Sequence, residues 1–296
     1  MPRTISFTVP DEYNNRKVVH FLRGSARLSV RLIHSLKRVE NGITLNGAHI
    51  RTVDLLRTGD VLAVCIPDDE RLPEPVRMPL DILFEDADVL CVNKPPTLAM
   101  HPTHNHQGDT LANGIAHYLE QQGRAAALRA IGRLDKGTSG VVVCALNKYA
   151  ASRLTGAIQK EYLALVAGVL QGGGTIDTPI GRPDARKTLR ACMADGERAV
   201  THWTALGTAD GRTLLRVRPD TGRTHQIRVH FAHEGHLLIG DAMYGGPCPE
   251  LGHQLLHCER AAFTHPVTGE AMTVVAPMPE DMARYASNII AVIPSG

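Results

Sequence analysis

The residues best suited to chemistry stand together in Ile131-Gly132-Arg133-Leu134-Asp135-Lys136-Gly137-Thr138-Ser139-Gly140. The apolar run Val141 to Leu146 that follows reads as a buried strand, and a loop on such a strand can hold a reactive side chain rigidly. Asp135 is the leading candidate. Arg133 and Lys136 flank it, so the carboxylate is expected to stay ionised, ready to act as base or nucleophile, or the two cations hold a polyanion beside it. The spacing from Gly132 to Gly137 is that of a phosphate-cradling loop. Thr138-Ser139 stand where that loop requires Lys-Ser/Thr, which rules it out. On turn chemistry alone, an Asp that bonds local backbone amides is an equally good reading.

Other polar groups qualify less well. His101-x-x-His104-x-His106 invites a metal, but it lies in a proline-containing loop with no paired Cys or carboxylate at ligand spacing. Cys248, His253, His257 and Cys258 lack the spacing of a zinc finger, and adjacent side chains point apart. Neither set is expected to bind metal. Tyr162, taken alone, is an ordinary half-buried aromatic. Thr224 suits the cap of a helix running to about His233 and stopped by Gly235, which puts His225 and Arg228 on one face.

These groups need a scaffold. The chain has 296 residues, enough for one large domain and a smaller one, and a net charge of only +2, so any nucleic-acid signal must be local. Residues 1–66 supply one: ten Lys or Arg against five Asp or Glu leave about +5 there. Helical spacing runs over Arg16–Arg23 and Ser29–Val39, with Val30, Ile33 and Leu36 inward. Arg27, Arg31, Lys37 and Arg38 face solvent as candidate RNA-backbone contacts. Strand-like pieces follow at 43–46 and 61–65. Residues 67–80, with four prolines among acids, read as a stiff linker, and 81–296 as a second domain.

Within that second domain, strands are expected near 82–93, 141–146, 201–206 and 213–217. Another at 160–168 has alternate residues inward, and helices are expected over 110–119, 149–159 and 279–290. A closing hairpin spans 255–275. Arg182, Arg186, Lys187 and Arg190 form a basic loop that suits RNA backbone or plain solvation equally. Six scattered cysteines without a CxxC pair read as reduced thiols. There is no apolar leader and no membrane-length run, so a soluble cytoplasmic protein is expected.

Three strings together resemble the motifs of the RluA-type pseudouridine synthases. They are Arg133-Leu134-Asp135 with Thr138-Ser139-Gly140 before an apolar strand, Lys160-x-Tyr162-x-Ala164-Leu165-Val166-x-Gly168, and Thr221-Gly222-Arg223-Thr224-His225-Gln226-Ile227-Arg228. The chain departs from the family at Gly132, where a His is usual. Residues 1–66 are similar to a small RNA-binding module found in several such synthases and in a small-subunit ribosomal protein.

The resemblance implies an α+β catalytic domain with a mixed, largely antiparallel sheet behind that module. It also implies isomerisation of uridine to pseudouridine in rRNA or tRNA, with RNA as the partner and no cofactor or metal. By position Asp135 is then the catalytic residue, attacking the ribose or removing its 2'-proton. Arg228 forks onto it, and Tyr162 packs on the base and serves in proton transfer at carbon 5. Arg133, Lys136, Arg223 and His225 become RNA contacts, with Lys94 and His101 as possible cleft residues. A catalytically inactive RNA-binding or ribosome-assembly protein on the same fold is the alternative. Oligomeric state is not legible, and a monomer is the working expectation.

Overall fold

The computed structural model describes residues 2–67, 73–102, 108–124, 129–184, 186 and 188–291. His104 and His106 of the histidine loop, Lys187 of the basic loop and positions 68–72 of the expected linker lie outside the described residues.

The front of the chain builds its own sheet. Strands β1 (Arg3–Thr8), β2 (Ile43–Leu45), β3 (Ala48–His49) and β4 (Val61–Ile66) pair in the order β1-β4-β2-β3. Asn46 and Gly47, both at positive φ, make the two-residue turn between β2 and β3, a conformation that suits Asn-Gly. Helices α1 (Val18–Arg23) and α2 (Val30–Leu36) cover this sheet, and the Ser29 side chain caps α2 by accepting from the Leu32 amide at 3.2 Å. Phe21, Leu22, Leu36, Leu56 and Leu62 are fully buried between the layers. The inward face of α2 is Leu32, Ile33 and Leu36. Val30, expected inside, is 52% exposed because it opens the helix on the outer side.

Residues 73–80 form neither helix nor strand. They are fastened to the next helix: the Val76 amide donates to the Asn113 carbonyl and the Asn113 side chain donates to the Glu74 carbonyl.

The second sheet is mixed and largely antiparallel. Its first elements are β5 (Asp81–Glu85), β6 (Val89–Lys94), α3 (Leu111–Gln121), β7 (Arg129–Ile131), β8 (Ser139–Ala145) and α4 (Lys148–Leu154). There follow β9 (Gln159–Ala167), β10 (Gly173–Asp177), the short pair β11 (Ile180–Gly181) and β12 (Ala191–Cys192), β13 (Val200–Ala209) and β14 (Arg212–Pro219). The chain closes with α5 (Gln226–His233), β15 (Leu256–Thr264), β16 (Ala271–Val275), α6 (Glu280–Tyr285) and α7 (Ser287–Ile290). The strand order is β10-β13-β14-β9-β15-β8-β6-β5, with β16 on β15, β7 on β8, and one parallel pair, β8 with β15.

That parallel seam sits where the acidic loop enters its strand. His257 lies beside Ser139 and Cys258 beside Gly140. Gly140 has φ +108°, and a Cβ there would run into the Cys258 backbone, so only glycine lets the two strands close. Ser139 Oγ lies 2.9 Å from His257 Nδ1, an internal link across the seam.

Strand β8 is buried along its whole length because it is covered on both faces, which explains the unbroken run Val141 to Ala145. The same cover explains β9, where Tyr162 to Val166 are all buried instead of alternating. The expected helix at 149–159 ends at Leu154, since Gly156 turns at φ +75° and Gln159 already belongs to β9. The expected last helix is broken into α6 and α7.

The two sheets meet through a defined joint. Arg3 donates Nε and Nη2 to the two oxygens of buried Asp88 at 2.9 and 2.7 Å, and Asn147 donates to the same carboxylate at 2.7 Å. Phe7 stands edge-on to Tyr149, centroids 6.3 Å apart, and Tyr149 packs into the front core. Asp86 and His265 lie next to Asp88, the one His/carboxylate group at metal-binding distance among the described residues. Arg3 already neutralises Asp88 there.

Candidate active site

Asp135 lies in the loop between β7 and β8, at the wall of a cavity of about 560 Å³. Its loop is stapled from both sides. Gly137 N–H donates to the Pro96 carbonyl at 3.0 Å, and Gln254 donates to Thr138 Oγ1 at 2.9 Å and to the Lys136 carbonyl at 3.2 Å. The carboxylate keeps 27% of its surface open.

Arg228, on α5, is only 5% exposed and approaches Asp135 with Nη1 at 3.5 Å. The expected fork onto Asp135 goes elsewhere. Nε and Nη2 bind the two oxygens of Asp241 at 2.7 and 2.8 Å, the short bidentate geometry of a strong charge-assisted pair. Burial pulls the Arg228 pKa down. The bonds and charge of Asp241, then the charge of Asp135, outweigh it and leave it above the ordinary arginine value. The guanidinium also lies over the Tyr244 ring, 5.1 Å from its centroid.

Tyr162 reaches the same cavity from β9 and is 8% exposed. Burial, followed by the neighbouring Cys258 and Asp135, pushes its hydroxyl well above the usual phenol range. At neutral pH it is therefore a hydrogen-bond donor and a poor base.

His225 is not inside the helix as expected. It is the residue before α5, at φ +58°, without a side-chain capping bond, and Thr224 does not cap either. The turn is held by Gln226, whose oxygen accepts from the Arg223 amide and the Thr221 hydroxyl and whose amide donates to the Val200 carbonyl. His225 still reaches the cavity, with Nδ1 2.9 Å from the Tyr244 hydroxyl. Burial first, with Arg228 adding to it against the pull of Asp135, holds the imidazole below its ordinary pKa.

Arg133 and Arg223 line the cavity, and Arg223 is paired with Glu197. Lys136 does not line it. Lys94 is not on the cavity wall. It is fully buried, donating to the carbonyls of Pro95 and Leu98 at 3.0 and 2.8 Å, and burial brings its pKa down to about 8 against the opposing pull of Asp135. The His101 imidazole is likewise lowered, by burial and then by Arg133. Arg27, Arg31, Lys37 and Arg38 are all exposed on or beside α2, away from the cavity wall. His257 and His253, from the second possible metal set, have separate partners in Ser139 and Asp281.

The residues missed from sequence are those that hold others: Asp241, Tyr244, Gln226 and Gln254. The string Gly240-Asp241-x-x-Tyr244-Gly245, placed after a helix bearing a buried Arg, was the available signal. A carboxylate with no local partner between glycines marks a tertiary pair.

Residues 88–233 match the sequence profile described as RNA pseudouridylate synthase. A Bacillus subtilis protein called uncharacterized RNA pseudouridine synthase YjbO is 39% identical over 271 residues, covering 88% of this chain and 95% of that one. Ribosomal large subunit pseudouridine synthase D of Vibrio cholerae is 36% identical over 265 residues, 82% of each chain. Among solved structures, human RNA pseudouridylate synthase domain containing 1 superposes with a TM-score of 0.56 at 28% identity, covering 67% of this chain and 83% of the other. Among the described residues, no helix is long and apolar enough to cross a membrane.

Proposed function

This chain belongs to the RluA-type family of RNA pseudouridine synthases, and from that premise we propose that it isomerises specific uridines of large-subunit rRNA with Asp135 as its catalytic residue. The rRNA assignment is supported by the relative named for the ribosomal large subunit, and the site by a single relationship. Asp135 keeps about a quarter of its surface, 27%, open at a cavity that the Tyr162 phenol also lines, while a buried guanidinium stands 3.5 Å behind it.

The cavity falls in the range of roughly 300–1,000 Å³ common for small-ligand sites, which suits one nucleotide turned out of its stack. In the reaction the N1–C1' bond breaks, the uracil turns while held, and carbon 5 joins C1'. The C5 proton leaves and N1 gains one, so substrate and product are isomers and no electron carrier is consumed.

Asp135 acts on the ribose, by attack at C1' or by taking the 2'-proton, and Arg228 orients it. Tyr162 offers its face to the base and its hydroxyl as a donor. Arg133, Arg223, His225 and Lys136 contact the RNA around the target. The exposed Arg27, Arg31, Lys37 and Arg38 of the front module grip backbone phosphates further away. The enzyme works in the cytoplasm as a monomer, without metal.

The test is mass spectrometry of rRNA and tRNA from a deletion strain, complemented with the wild-type gene. A pseudouridine lost from large-subunit rRNA and restored on complementation is expected. Loss from tRNA moves the substrate. No loss from either RNA makes the protein an RNA-binding relative without activity.

A further inference from the structure

Lys160 stands two residues before Tyr162 on β9, so both side chains leave the same face of the strand, and both line the cavity. Its Nζ donates to the Gly132 carbonyl at 2.6 Å. Gly132 is what leaves the ammonium open: it turns at φ +69°, and a Cβ there would stand 3.2 Å from Nζ and 3.5 Å from Cε. An ordinary side chain at 132 would crowd the lysine and strain the backbone.

The charges around the cavity are unevenly matched. Arg228 is neutralised by Asp241 and Asp135, and Arg223 by Glu197. Among the described residues no carboxylate pairs with Lys160 or Arg133, and both line the cavity. Burial lowers the Lys160 pKa, and the groups that oppose this are thiols: Cys258, Cys144 and Cys91. A half-buried ammonium with one carbonyl partner keeps two N–H groups with which to receive an anion. In the neighbouring cavity of about 330 Å³, Arg182, Arg190 and Arg223 share the wall with Asp195 and Glu197, so carboxylates already stand beside its cations.

We infer that Lys160 is a substrate-binding residue that takes a backbone phosphate next to the uridine in the cavity, through the opening that Gly132 provides. This rests on the reading that the cavity receives a uridine of RNA. A phosphate supplies the missing counter-charge and accepts the two N–H groups that the Gly132 carbonyl leaves over. The contact reads no base, so it sets affinity and register rather than sequence.

The test uses the full-length protein and a short unmodified transcript carrying the site mapped in the deletion strain. Lys160→Met keeps the apolar stem and removes the charge, and Lys160→Arg keeps the charge. Affinity is measured over a salt series from about 50 to about 200 mM, alongside turnover at saturating RNA. For Lys160→Met, the expected result is weaker binding and a plot of log Kd against log salt shallower by about 0.7–0.9, the loss of one phosphate contact. Lys160→Arg restores most of the slope. An unchanged slope overturns the inference. So does a fall in turnover with the slope unchanged, which makes Lys160 a prop for the Gly132 loop. If wild-type protein does not modify the transcript, the functional reading itself has failed, and that outcome is separate.

Discussion

Arg228 gives two of its nitrogens to Asp241, at 2.7 and 2.8 Å, and leaves one, at 3.5 Å, for Asp135. The short pair has the geometry of a committed ion pair, and the long one does not. A carboxylate held by both arms of the fork would be a committed ion pair. One touched by a single nitrogen keeps its remaining lone pairs free to accept from other groups in the cavity.

Asp241 is 1% exposed, so Asp241→Ala leaves a buried guanidinium short of its main partner. Breaking such a pair costs about 3–5 kcal/mol. The expected outcome in urea unfolding is a loss of that order together with a fall in turnover. Wild-type stability would show that Asp135 or solvent replaces Asp241 without cost.

Asp135→Asn keeps the shape of the loop and removes the charge. Product formation is expected to vanish in a tritium-release assay while RNA affinity stays within a few fold. Residual turnover near the wild-type rate would remove Asp135 from the chemistry.

Tyr162 separates two roles that a phenol can play. Tyr162→Phe retains the flat face and loses the donor. Positioned proton transfer contributes roughly 10²–10⁴-fold. Turnover is therefore expected to drop by at least about tenfold with Kd for RNA unchanged, and a variant as fast as wild type would reduce the residue to packing. Because the hydroxyl is pushed far above the usual phenol range, it adds no titration to the pH–rate profile near neutrality.

Lys94 links stability to pH. Burial sets its folded pKa at about 8 against 10.5 in the free side chain, so between those values the unfolded chain binds the extra proton. Stability then rises with pH across that window, and the contribution is lost as pH falls through about 8. Urea midpoints of wild type are expected to climb relative to Lys94→Met between pH 8 and 10.5; parallel curves would assign the titration to another group. The Asp135 charge favours the ammonium, so Asp135→Asn moves the lower edge of the window down.

Legibility from sequence followed the range of the interaction. The run from Ile131 to Leu146 was readable because loop and strand are contiguous. The helix expected over 29–39 and the strand expected at 43–46 were readable because their spacing is local, and they stand at 30–36 and 43–45. Arg228 was found and its partner was not, since the glycine-flanked Asp241 signals a distant pair without naming residue 228 as the other half. Strand β9 was misread as alternating because its second covered face comes from elements far away in sequence. His225 at positive φ was hidden because the turn is set by Gln226 reaching back to Val200. Strand β1 carries no local signal strong enough to stand out, and it becomes a strand by pairing with β4.

The parallel seam between β8 and β15 also bears on when the protein becomes active during its synthesis. A ribosome that has extruded residues up to Ala145 has already made the acid and its loop. Gln254, which pins that loop, and the strand that closes against Gly140 are still more than a hundred residues away. The nascent chain therefore carries its reactive group unassembled until translation nears completion, and a product truncated before residue 254 lacks the parts that set the carboxylate in place.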